Sequence, residues 1–270
     1  MTHANHNMLL VDVHAHLDID GFEELGGADK VILESLHAGV KTIVSNATDI
    51  ESSRKVLEIC KKHPNVKAAL GIYPTHCLEM IEQGKEKDID EEILFIEKQI
   101  KSGKCIAVGE VGLEYKEVPI NDSKKEMQKN ALRKFIHLAK KMNVPIILHS
   151  RGAEQDTIEL LESEGMKNKK VIMHCFSGRK HLVARVRDNG WSFSIPCNVN
   201  RSLHFQQIVL DTPLEQLFTE TDAPYLSPTP GTVNTPSNVK NSIEKIAELK
   251  KMTKEEVANI LYSNYQKYFL

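Results

Sequence analysis

Leu9-Leu10-Val11-Asp12-Val13-His14-Ala15-His16 decides the fold of this chain once it is set beside Leu217-Phe218-Thr219-Glu220-Thr221-Asp222 near the other end. The apolar residues give the first stretch strand character. The period-2 alternation of a strand then puts His14 and His16 on one face, so that two imidazoles converge on one point. Three intervening apolar runs also stop at a residue able to bind metal: Cys105-Ile106-Ala107-Val108-Gly109-Glu110, Val144-Pro145-Ile146-Ile147-Leu148-His149 and Val171-Ile172-Met173-His174. With 12 His among 270 residues, about half of one His-x-His pair is expected by chance, so that pair alone is a weak signal. Six ligand-type side chains at five run ends carry far more weight. They predict a metal centre built from His14, His16, Glu110, His149, His174 and Asp222. Imidazole and carboxylate suit Zn, Mn and Ni and, through the oxygens, Mg.

Outward from these stretches, short apolar runs alternate with amphipathic helical segments. Strand-like runs fall near residues 8–14, 41–46, 66–72, 105–110, 145–149, 170–174, 191–195 and 216–221. Helical spacing covers about 28–38, 50–63, 90–102, 123–142, 153–165, 179–189 and 201–210. Repeated βα units with short links predict a parallel sheet with helical crossovers. In an open sheet the active residues gather at a topological switch point, whereas here they come from the first, fourth, fifth, sixth and eighth runs. Only a closed ring brings the first and eighth together, so the expected fold is α/β, a (β/α)8 TIM barrel with the metals at its C-terminal mouth. Two additional C-terminal helices, about 237–250 and 253–268, are expected on the barrel exterior, the second opened by the capping-box pattern Thr253-Lys254-Glu255-Glu256. Residues 227–236, rich in Pro, Thr and Gly, are expected as a long loop beside the site. No repeat, low-complexity tract or linker interrupts the pattern, and residues 1–270 read as one hydrolase domain.

Hydrophobic content of 41% and charged content of 27% are those of a globular protein with a sizeable core. No apolar run reaches the length of a membrane span, and the N-terminal stretch Met1–Asn7 is polar and shows no secretory signal, so the expected location is cytoplasmic. Five widely spaced cysteines without a C-x-x-C pair predict reduced thiols. A net charge of −2 excludes the broad basic field of a nonspecific duplex binder, so a nucleic-acid substrate has to be held locally, by metals and a few cations.

Several of these stretches together resemble a known family. Val11-Asp12-Val13-His14-Ala15-His16-Leu17-Asp18, Gly109-Glu110-Val111-Gly112-Leu113-Glu114-Tyr115, Leu148-His149-Ser150-Arg151, His174-Cys175-Phe176-Ser177-Gly178 and Glu220-Thr221-Asp222-Ala223-Pro224-Tyr225 are similar, in order and spacing, to the TatD-like metal-dependent deoxyribonucleases of the amidohydrolase superfamily. The resemblance covers essentially residues 8 to 269. It implies a TIM barrel, one or two divalent metals, and hydrolysis of phosphodiesters in DNA, often exonucleolytic and favouring single strands. It also implies that His14, His16 and Asp222 hold one metal, that His149 and His174 hold the other, and that Glu110 bridges them. Two positions depart from the family: Glu114 stands where Asp is usual, and Tyr73 where His is usual. Both are expected near the mouth, bearing on substrate preference more than on metal binding.

Two divalent metals suit phosphodiester cleavage, one activating water and the other stabilising the leaving oxygen. Asp222 is the candidate to take the proton from the attacking water, with a purely structural ligand as its alternative role. Arg151 and Arg179 are candidates to grip phosphate, and His76, on the loop after the third run, to contact phosphate or substrate. Solvated helix-start residues are the competing reading of the arginines. Lys180 reads as solvated. Tyr225 either stacks on a base or wedges its loop. A monomer acting on single-stranded DNA is expected, with no membrane partner. Two rivals remain at this stage: a binuclear-metal hydrolase of a small-molecule amide, lactone or phosphate ester, and a non-catalytic metal-bound binding module. Relatives of this barrel that act on small molecules often bridge their metals with a carboxylated lysine where this chain has Glu110, which favours the nuclease branch.

Overall fold

A computed structural model describes residues 8–270. The polar stretch 1–7, on which the reading of no secretory signal rests, lies outside the described residues. Eight strands, β1 (Leu10–Ala15), β2 (Val40–Asn46), β3 (Val66–Leu70), β4 (Ala107–Gly112), β5 (Ile146–His149), β6 (Val171–Met173), β7 (Ser192–Pro196) and β8 (Leu217–Glu220), pair in parallel in chain order. Among the described residues ten α-helices accompany them: α1 (Ala28–His37), α2 (Ile50–Lys62), α3 (Pro74–Glu82), α4 (Glu86–Lys101), α5 (Asp122–Met142), α6 (Glu154–Ser163), α7 (Lys180–Asp188), α8 (Leu203–Asp211), α9 (Val239–Lys250) and α10 (Lys254–Phe269). This is the TIM barrel that the ligand placement demands.

The ring closes between β8 and β1 partly through side chains. Thr219 Oγ1 donates to the Val11 carbonyl at 2.6 Å, and the Asp12 carboxylate accepts from Thr221 N–H at 3.0 Å and from its hydroxyl. Farther along, Asp222 N–H donates to the His14 carbonyl and His16 N–H to the Ala223 carbonyl, both at 2.8 Å. Burial pushes the Asp12 carboxyl up to about 7, against the pull of the Thr221 and His14 donors.

β1 does not alternate strictly. Asp12 pairs with Ile43 and Ala15 with Ser45, so three steps on β1 face two on β2, a bulge. Val11 and Val13 consequently join the apolar floor of the barrel, while His14 and His16 turn to the mouth.

Two expectations need correcting. Residues 74–82 form α3, where a loop was expected. Pro74 occupies its first turn, where the missing N–H costs nothing, so the proline starts a helix instead of excluding one. The last helix also does more than cover the exterior. Tyr265 and Phe269 of α10 pack with Val11, Val44, Ala69, Ala107, Ile147, Ile172 and Phe218, plugging the end of the barrel away from the site. All five cysteines are free thiols, as expected. No described helix is long and apolar enough to cross a membrane.

Candidate metal centre

Each of the six predicted donors sits in the C-terminal half of its strand or just beyond it, and the structure brings all six together. His14 Nε2 and His16 Nε2 lie 3.2 Å apart. Both face Asp222 Oδ1, at 3.4 and 3.3 Å, and Glu110 Oε2, at 3.6 and 3.5 Å. The other oxygen of Glu110 turns the opposite way: Oε1 lies 3.0 Å from His149 Nδ1 and 3.9 Å from His174 Nε2. His14 and His174 stack, with ring centroids 3.7 Å apart.

The backbone explains the convergence. Gly112 adopts φ +152°, and a Cβ there would lie 2.0 Å from the His149 carbonyl oxygen, so β4 and β5 approach this closely only with glycine. Asp222 takes a left-handed φ of 59°, uncommon for a residue with a side chain, held by its N–H bond to His14 and by the Tyr225 N–H donating back to its carbonyl at 2.8 Å.

A ring of acceptors sets which imidazole nitrogen faces the centre. His16 Nδ1 donates to the Asn46 carbonyl at 2.8 Å, His174 Nδ1 to Glu220 Oε2 at 2.7 Å, and His149 Nε2 to Glu114 Oε2 at 2.8 Å. Glu220 is itself held by Ser194 and by the Cys175 N–H. His14 Nδ1 is buried with no partner among the described residues. Sequence reading gave Glu220 and Asn46 no role and did not place Glu114 against an imidazole. The signal available for Glu114 was its place in the quoted Gly109–Tyr115 stretch, but only the fold shows what it touches.

The two family departures meet on one imidazole. Tyr73 Oη lies 3.2 Å from His149 Nε2 while donating to Glu117 Oε1 at 2.9 Å, and Glu114 holds the same nitrogen. Both positions therefore adjoin a candidate ligand.

Burial works against charge on His14, His16, Glu110, His149 and Asp222, yet opposite charges prevail. Imidazoles hold the Glu110 and Asp222 carboxyls below the usual carboxylate range, and those carboxylates raise His14 and His16. Burial would lower His149, but Glu110 and Glu114 push it up to about 9. The donor chemistry fits divalent cations. Two groups, His14 with His16 and Asp222, and Glu110 with His149 and His174, each place their donor atoms within 4.8 Å of one another.

Above the cluster opens a cavity of about 810 Å³, lined by Tyr73, His76, Arg151, Ser177, Phe205 and Tyr225 among others. His76 stands in the first turn of α3, its Nδ1 2.9 Å from the Thr48 carbonyl. Arg151 reaches the cavity wall, with Nη1 3.8 Å from Glu117 Oε1. Arg179 does not line the cavity and lies exposed where α7 begins. Lys180 is 3.9 Å from Asp211 and remains solvated, as expected.

Comparison with known proteins agrees with this geometry. The family described as "TatD related DNase" matches residues 11–270. YabD of Bacillus subtilis, named as a metal-dependent hydrolase, is 33% identical over 97% of this chain and 99% of its own length. The human deoxyribonuclease TATDN3 is also 33% identical, over 96% of this chain and 94% of its own. A TatD-family hydrolase from Entamoeba histolytica superposes with a TM-score of 0.84 at 24% identity, over 97% of this chain and 98% of its own, a likeness that speaks for the fold.

Proposed function

The chain belongs to the TatD-related DNase family of metal-dependent hydrolases, and from that premise we propose that it is a divalent-metal-dependent nuclease hydrolysing phosphodiester bonds in DNA, an exonuclease preferring single strands. The observation that carries this reading is the division of Glu110, one oxygen turned to His14 and His16 and the other to His149 and His174. A carboxylate so shared suits a pair of ions, and the family relationship supplies the substrate class.

In this reading His14, His16 and Asp222 hold one ion, His149 and His174 the other, and Glu110 both. Two divalent ions, when bound, supply positive charge for a phosphate, activation of water and stabilisation of the leaving oxygen. The ions are Mg, Mn or Zn, or Ni. Asp222 directs Oδ1 at His14 and His16, while Oδ2 has no hydrogen-bond partner among the described residues and is placed to accept the proton of the attacking water. Arg151 and His76, on the cavity wall, orient the phosphate, and Arg179 meets the strand farther out. Tyr225, 56% exposed beside the mouth, offers a face for a base.

Asp222→Asn tests the base role. The expected result is a fall in kcat of about 10²-fold or more, measured at metal concentrations that restore full occupancy of the variant, with occupancy checked by elemental analysis. Turnover near wild type at full metal content would sink the role.

A further inference from the structure

We infer that the substrate strand leaves the centre in one direction, over the rim formed by the loops after β5, β6 and β7, and not over the rim formed after β1 and β2. The inference rests on the phosphodiesterase reading above and adds to it a path for the nucleotides beyond the scissile linkage.

Charge divides the mouth. Residues 16–27 after β1, and 47–49 after β2 with the first turn of α2, carry Asp18, Asp20, Glu23, Glu24, Asp49 and Glu51 and no Lys or Arg. Across the ring, residues 150–153, 174–179 and 197–202 carry Arg151, Arg179 and Arg201 and no Asp or Glu. In an eight-stranded ring β1 and β2 face β5 and β6, so the two arcs oppose each other across the centre. The nearest acid on the cationic side, Glu154 at the start of α6, is engaged by the Ser177 hydroxyl and the Gly152 N–H. Arg179 and Arg201 have no hydrogen-bond or ion-pair partner among the described residues, so both guanidinium groups are free for phosphate.

The cationic rim is a built surface. His204 Nε2 lies 3.0 Å from the Phe176 carbonyl, tying the loop after β6 to the start of α8. Gly178 packs so tightly on Phe176 that a Cβ would lie 2.4 Å from its ring. Beside the arginines stand the exposed apolar side chains Leu203, at the start of α8, and Tyr225 and Leu226, on the loop after β8, which are 83%, 56% and 36% exposed. Guanidinium groups next to an aromatic and apolar shelf fit a single strand, phosphates on the cations and bases on the shelf. On the opposite rim carboxylates predominate, with Glu51 paired to Lys55 at 2.9 Å, so phosphates would meet mainly like charge there.

The test compares KM for DNA strands of two, five and ten nucleotides in saturating Mg, for the parent, for Arg179→Gln with Arg201→Gln, and for Glu23→Gln with Glu24→Gln. For the arginine pair the rise in KM should grow with length, to about tenfold at ten nucleotides. The log KM against log salt slope should become shallower by about 0.7 for each lost phosphate contact. The glutamate pair should track the parent at every length. A loss independent of length, or a length-dependent gain for the glutamate pair, overturns the path while leaving the nuclease reading intact. Failure of the parent to cleave DNA of any length removes both.

Discussion

His174 has two ring nitrogens, and Glu220 selects the one that faces the centre: Nδ1 donates to Glu220 Oε2 at 2.7 Å, leaving Nε2 toward Glu110 and Asp222. Such an outer partner fixes the tautomer and raises the basicity of the ligand. Glu220→Gln should therefore weaken metal affinity about 10–100-fold, measured by competition with a chromogenic chelator, with the fold kept; unchanged affinity would mean that His174 is oriented by packing alone. The six donors were legible in the sequence because each ends an apolar run, where a strand delivers its last side chain to the mouth. Glu220 stands two residues before Asp222 in the same run, but its role depends on which imidazole the neighbouring strand brings beside it. Tyr73 and Glu114 were visible as departures from the family pattern. That they converge on His149 depends on the loop after β4, where the N–H groups of Lys116 and Glu117 hold the Glu114 carboxylate.

Among the elements, β1 and α10 carry what periodicity alone misses. Strict alternation across β1 would set Asp12 on the face of His14 and His16, whereas the bulge frees its carboxylate to close the barrel onto Thr221. Bulges leave no dependable mark in a single sequence, because the extra residue is an ordinary one. The helix at α10 was legible from its apolar spacing and its cap at Thr253, and the cap is present as read. Its target was not, since Tyr265 and Phe269 pack against residues from seven strands that meet only after the ring closes. Phe269→Ala should cost about 3 kcal/mol by leaving a cavity in this floor. Denaturant unfolding checks the value, and a loss well below 1 kcal/mol would place Phe269 outside the core.

Across the whole molecule, the metal centre stores a dependence on pH. In metal-free protein the neighbouring carboxylates push His149 up to about 9 from an ordinary value of 6.5. A raised folded-state value stabilises fully below about 6.5, and that stabilisation is lost as pH rises through about 9. Bound divalent ions need the imidazoles neutral and release protons on binding. The Tm gained on adding metal should therefore widen from pH 6.5 to 9, as the metal-free protein weakens and the loaded protein does not; a gain constant over that range contradicts the assignment of His149 to the centre. The most direct test of the central claim is cleavage of end-labelled single-stranded DNA by metal-stripped protein, with and without Mg or Mn, beside Glu110→Ala and a duplex control. The account predicts a ladder that appears only with metal, is weaker on duplex and is lost in Glu110→Ala. Protein loaded with two ions that leaves single-stranded DNA intact would contradict it and point to a small-molecule ester or amide as the substrate.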